Sequence, residues 1–156
     1  WAGGCELRIT PGSPPFPGKA IGFDVGCPAL LVWDPEGGKH TSNYIDDPIW
    51  KSKITKAGEA AVERLKQYEW DLTIWDMLLD EADQFALDSG LLEEEGRANL
   101  LNLVLENSND TMSCHLCMLG TSLIVVPRKL DEEFDCEELA SRLRSIGLGV
   151  RETILQ

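Results

Sequence analysis

The stretch TKAGEAAVERLKQYEWDLTIWDMLLDEADQFALDSG, residues 55–90, decides how the rest of the chain is read. Ala61, Leu65, Tyr68, Leu72, Trp75, Leu79, Ala82 and Phe85 recur at steps of three or four, the spacing that gathers side chains on one helical face. Trp70, Ile74, Met77 and Leu78 widen this seam into an apolar arc. No proline falls between Thr55 and Ser89, so the pattern allows one helix of roughly 50 Å at about 1.5 Å per residue, kinked or broken at some point along it. Gly90 suits the left-handed position after a helix. Glu93, Glu94 and Glu95 suit the first turn of the next one, where the helix dipole favours anions. That second helix carries Arg97, Leu100, Leu101, Val104 and Leu105 and stops at Asn107, Ser108, Asn109 and Asp110, which makes 55–107 the helical part of the chain.

Charge is concentrated in the same region. Residues 57–110 hold fourteen Asp and Glu against three Lys and Arg, whereas residues 1–56 hold six of each sign and residues 111–156 hold seven against five. A field of this sign repels phosphate backbones and anionic lipid, so nucleic acid and acidic membrane surfaces are excluded as partners of the helices. A protein partner with a basic surface fits them better. The plainer reading is that acidic residues opposite an apolar seam keep the outer face solvated.

The length of 156 residues suits a single domain over 1–156 with a core that needs no staples, and 43% hydrophobic with 26% charged residues is the composition of a soluble globular protein. The longest apolar run, near Leu116 to Val126, is too short and too interrupted to cross a bilayer, so no membrane insertion is expected. Five cysteines do not close a disulfide framework. A reducing intracellular compartment follows, the cytoplasm or an organelle interior reached by a removed targeting peptide, since the chain opens at Trp1. A Cys5–Cys27 pair stays open if the first strands lie side by side.

Residues 5–33 read as strands. Cys5 to Thr10 is followed by a proline-rich break, and Lys19 to Val25 joins Ala29 to Trp33 through Gly26, Cys27 and Pro28 as a hairpin turn. Residues 34–54 read as a loop, and its Lys39 to Trp50 part carries Lys39, His40, Asn43, Tyr44, Asp46, Asp47 and Trp50. Beyond the helices, residues 111–156 read as hairpin, helix and strand. Thr111 to Leu119 alternates, with Met112, Cys114, Leu116 and Met118 on one face and Ser113, His115, Cys117 and Leu119 on the other. Gly120 and Thr121 turn the chain into Ser122 to Val126. Asp135 caps a helix from Cys136 to Ile146, with Phe134 and Leu139 placed as a hydrophobic staple, Arg142 and Arg144 in the last turn and Gly147 as the stop. Leu148 to Leu155 returns as a strand, making Ser122 to Leu155 one strand–helix–strand unit with a right-handed crossover. The fold class is α+β: an antiparallel or mixed sheet, to which both ends of the chain add, packed against a long acidic helical middle.

Residues with chemistry are sparse. Cys114, His115 and Cys117 have a metal-like spacing, but a site needs further ligands, and Cys136 and His40 are the candidates for them. In an extended strand the two thiols point to opposite faces, so structural cysteines are the simpler reading. His115, or His40 beside Asp46 or Asp47, suits a general base, yet neither has a nucleophile at a telling spacing. No Walker loop, dinucleotide glycine pattern or nucleophile elbow occurs. The expected function is therefore a non-catalytic binding or assembly module without a cofactor, docking a protein through Trp70, Trp50, Tyr44, Asp71, Asp80 and Glu81. The alternative is a small metal- or thiol-dependent protein using Cys114 and Cys117 with His115 or His40.

Overall fold

A computed structural model describes residues 5–10, 12–37, 44, 46–117 and 120–155 of the chain. The strands among them are β1 (Cys5–Thr10), β2 (Lys19–Phe23), β3 (Cys27–Trp33), β4 (Met112–Leu116), β5 (Ser122–Pro127) and β6 (Gly149–Leu155); the helices are α1 (Pro48–Leu65), α2 (Trp75–Asp88), α3 (Glu95–Asn107) and α4 (Cys136–Ser145). The class is α+β, as the periodicity implies.

β3 is the centre of the molecule. Its run CPALLVW is apolar on both faces, which suits a strand covered on both sides, and it pairs antiparallel with β5 and with β6, giving the order β4-β5-β3-β6. Leu30 and Val32 of β3 and Leu123 and Val125 of β5 meet Leu100 and Val104 of α3 and Leu139, Ala140 and Leu143 of α4 in one core cluster. The alternate residues Cys27, Ala29 and Val126 meet Trp75 and Leu79 of α2 in a second cluster. The sheet is thus sandwiched between α3 and α4 on one face and α2 on the other. Each fully buried Leu or Val contributes about 1.5–3 kcal/mol through removal from water. β5, α4 and β6 follow one another in the chain, with β3 lying between the two strands.

Two local expectations are corrected and a third is made specific. The hairpin expected between the second and third strands does not form: β2 pairs with β1 in a separate two-stranded ribbon. The residues explain the separation, since β2 is exposed along nearly its whole length while β3 needs cover on both faces. Of the N-terminal strands only β3 shares a sheet with β4, β5 and β6.

Second, residues 48–54 are helical, where a loop was expected. The Asp47 carboxylate accepts from the backbone N–H of Ile49 at 2.7 Å and of Trp50 at 3.3 Å, and Pro48 occupies the first turn, where its missing N–H costs nothing. Third, the break that the pattern allowed in the long helix falls after Leu65. Asp71 accepts from the Thr73 backbone N–H at 2.8 Å and from its hydroxyl at 2.6 Å, opening the 3-10 turn Leu72–Ile74 that leads into α2. Such side-chain bonds offer the backbone an alternative to continued helix. Tyr68 and Leu72, placed on the seam by periodicity, are 45% and 49% exposed as a result. The expected punctuation elsewhere is present: Gly90 is left-handed at φ 74° after α2, and Gly147 at φ 92° after α4.

Candidate functional site

Two polar clusters are built into the fold, and both lie where helices meet the β4–β5 hairpin. The first surrounds Arg97, which takes a seam position one turn before Leu100 and is only 1% exposed. Its Nη1 donates to Glu94 Oε2 at 2.9 Å and to the Leu91 carbonyl at 3.5 Å, and its Nε donates to the Gly120 carbonyl at 3.2 Å. The guanidinium also stacks over the Tyr44 ring, 4.6 Å from its centroid, while the Tyr44 hydroxyl donates to Glu94 Oε2. A buried cation is tolerable only with such a complete set of partners. This one holds three separate segments together: Tyr44, the start of α3, and the turn that joins β4 to β5.

That turn carries small hydroxyl residues. The Cys117 N–H donates to the Ser122 carbonyl at 2.9 Å, and Asp34 N–H donates to the Thr121 carbonyl at 3.3 Å, tying the turn to the end of β3. Arg97 therefore anchors the Gly120 end of this turn through the Gly120 carbonyl. This is a turn held in place by a buried, partnered positive charge.

The second cluster is a relay on the face of β4 toward α2. His115 Nδ1 lies 2.8 Å from Asp83 Oδ1, and His115 Nε2 lies 2.8 Å from Ser113 Oγ. The residue types and connectivity are those of a nucleophile, a base and an orienting carboxylate. Access decides against that use, because Ser113 and His115 are 6% and 5% exposed. The His115 ring is buried, while its carboxylate partner Asp83 reaches the surface.

The candidate thiols are dispersed and electrostatically quiet. All five cysteines are free, so Cys5 and Cys27 are unpaired. Cys114 is buried and lies 3.6 Å from Ser108 Oγ, on the side of β4 opposite His115. Burial pushes the Cys114 and Cys117 thiols up, countered by hydrogen bonds with Ser108 and Ser122 respectively. Cys136, at the start of α4, is pushed up to about 11 by burial, with Glu152 and Asp135 adding to it. Among the described residues no three His, Cys, Asp or Glu side chains come together as a metal site. His40 lies outside the described residues, as do Lys39 and Asn43 of the same segment.

The residues expected to meet a partner fall in different places. Tyr44 is buried in the Arg97 cluster, and Trp50 is half-buried with its ring edge-on to Tyr44 at 5.4 Å and Lys53 over its face. Trp70 is half-buried as well; its indole N–H donates to the Cys5 carbonyl at 3.1 Å and its ring meets Phe23 edge-on at 5.8 Å, so it clamps the ribbon. Asp71 caps the 3-10 turn, and hydrogen bonds from Thr73 lower its pKa. Asp80 and Glu81 border an open groove of about 370 Å³ between α1 and α2, lined also by Leu65, Tyr68 and Met77. Glu81 is already paired there with Arg64, whose Nε donates to it at 2.8 Å.

The Arg97 cluster was missed as a site because Tyr44 and Glu94 are fifty residues apart. Its signal in the sequence is a cation at an apolar seam position with a carboxylate three residues before it.

No family model matches the sequence, and no curated protein matches it. Among solved structures, the phosphomevalonate kinase of Streptococcus pneumoniae is similar in fold, with a TM-score of 0.52 at 13% identity over 91% of this chain. The chain spans 45% of the length of that kinase. At this identity the likeness is one of fold.

Proposed function

We propose that this chain works within a small-molecule kinase. The observation that carries this reading is the fold likeness to a phosphomevalonate kinase through nine-tenths of the chain. One further feature agrees with it: phosphoryl transfer depends on positioning and electrostatics more than on covalent chemistry, and the Arg97 cluster fixes the position of the turn between β4 and β5. This reading places the chain in a catalytic context, ahead of the stand-alone docking module that charge alone suggests.

The test is phosphoryl transfer by the protein at its natural length, given ATP, Mg²⁺ and a panel of small hydroxy acids and phosphomonoesters that includes phosphomevalonate. Turnover of one panel member is expected, with at least a tenfold loss in Arg97→Lys while circular dichroism stays unchanged. ATP left intact across the whole panel by a folded protein removes the proposal.

A second reading is favoured by the groove between α1 and α2. Its apolar floor of Leu65, Tyr68 and Met77 beside Asp80 suits a basic, partly apolar protein segment. Binding there should weaken between 0.1 M and 1 M salt, as the Debye length falls from about 10 Å to about 3 Å. A pull-down insensitive to salt, or unaffected by Asp80→Lys, removes it.

A further inference from the structure

Cys5 opens β1 and Cys27 opens β3, and the fold brings the two thiols into one neighbourhood. Cys5 stands opposite Phe23 in the ribbon, and antiparallel partners lie about 4.5–5.5 Å apart at Cα. Only residues 24–26 then separate Phe23 from Cys27, with Gly26 in the left-handed region at φ 66° turning the chain. Packing agrees with this short tether. Cys27 is 5% exposed in the cluster that it forms with Ala29, Trp75, Leu79 and Val126, and the half-buried Cys5 packs against that same cluster. The other thiol near Cys27, that of Cys136, packs against the cluster on the opposite face of the sheet.

The pair stands where the ribbon is attached. β2 pairs with β1 alone and is exposed at every position but the last, and a two-stranded ribbon is marginal in water without further support. Trp70 supplies support at the same end, its indole donating to the Cys5 carbonyl and its ring meeting Phe23. We infer that Cys5 and Cys27 form a reversible disulfide when the protein meets a low-molecular-weight disulfide, locking the ribbon onto the first residue of the central strand. The step is thiol–disulfide exchange. Cys5, the more accessible thiol, gives up its proton and attacks one sulfur of glutathione disulfide, whose S–S bond breaks to release one glutathione. Cys27, deprotonated in turn, attacks Cys5 Sγ in the mixed disulfide and releases the second. The two protein thiols lose two protons and two electrons, and the oxidant becomes two glutathione thiols. Burial pushes both protein thiols up, so the thiolate is scarce at neutral pH and exchange quickens as pH rises toward 9. The closed loop contains the whole of β1 and β2, so the bond restrains the unfolded chain more than the folded one.

The experiment incubates the reduced, folded protein at its natural length with glutathione disulfide at about pH 8.5, near the ordinary thiol pKa. The remaining thiols are then blocked with iodoacetamide in urea, and linked peptides are mapped by mass spectrometry. The expected product joins Cys5 to Cys27 and leaves Cys114, Cys117 and Cys136 alkylated. The melting temperature should rise by about 5 °C or more and return with dithiothreitol. That rise should persist in Cys136→Ser and vanish in Cys5→Ser, whose reduced melting temperature serves as its own reference. A Cys27–Cys136 link, a link between two chains, or glutathione left on Cys5 of a folded protein overturns the inference. So do five alkylated cysteines, a Cys5–Cys27 link that forms only in urea, and a link that leaves the melting temperature where it was.

Discussion

His115 Nδ1 lies 2.8 Å from Asp83 Oδ1, and that bond ties β4 to α2 from the interior outward, since the His115 side chain is 5% exposed and that of Asp83 is 62% exposed. The tie continues inward to the Ser113 hydroxyl, so removing its two ends has unequal consequences.

His115→Ala strands the buried Ser113 hydroxyl and should destabilise the fold by about 1–3 kcal/mol, the cost of an unmet buried polar group. Asp83→Asn loses a contact screened by water and should cost below about 1 kcal/mol. Urea unfolding of the two variants checks the order; a larger loss in Asp83→Asn contradicts the relay as described.

Asp47→Ala removes the side-chain acceptor from the first turn of α1 and should cost about 0.5–2 kcal/mol. Asp135, whose carboxylate accepts from Glu137 and Glu138 N–H at 3.1 Å each, should behave alike in α4. Thermal melts of Asp47→Ala and Asp47→Ser distinguish a cap from a mere charge, because serine restores the former only. Equal loss in both variants refutes the capping role.

How far these features were legible in the sequence depends on how local their causes are. The α4 boundaries were legible because Asp135, Arg142, Arg144 and Gly147 all act within the helix they bound. The β4 strand was legible because Ser113 and His115 alternate with Met112 and Cys114. The break after Leu65 was not, since Tyr68 and Leu72 keep the helical period while Asp71 and Thr73 overrule it. Pairing of β2 with β1, and the meeting of Tyr44, Glu94 and Arg97, are set by distant residues that no local pattern reports.

Cys27 gives a pH dependence whose sign is fixed. Burial, then the neighbouring Cys5, push its thiol from 9.0 up to about 11. The folded chain therefore keeps a proton that the unfolded chain releases, so this group's contribution is complete below pH 9 and is lost as pH rises from about 9 to about 11. Urea midpoints across that window should fall, and should fall less in Cys27→Ala. An unchanged slope in that variant assigns the alkaline loss to other groups.

Gly149 opens β6 directly against Trp33 of β3. A Cβ built there meets Trp33 ring atoms at 2.2–2.6 Å. Gly149→Ala should cost about 1–3 kcal/mol by overpacking, and most of that loss should vanish in the Trp33→Ala background. A double-mutant cycle by urea unfolding measures the coupling; additive losses show that the ring simply moves aside.

The central place of β3 sets a schedule for making the protein. Its two neighbours, β5 and β6, are both encoded far downstream, so a ribosome adding about 5–20 residues per second presents this apolar strand on the order of ten seconds before either flank exists. During that interval ALLVW, flanked by Pro28 and interrupted by no charge, is an unpaired apolar run, and a nascent chain of this design depends on the early helices, or on a chaperone, to cover it until β5 and β6 emerge.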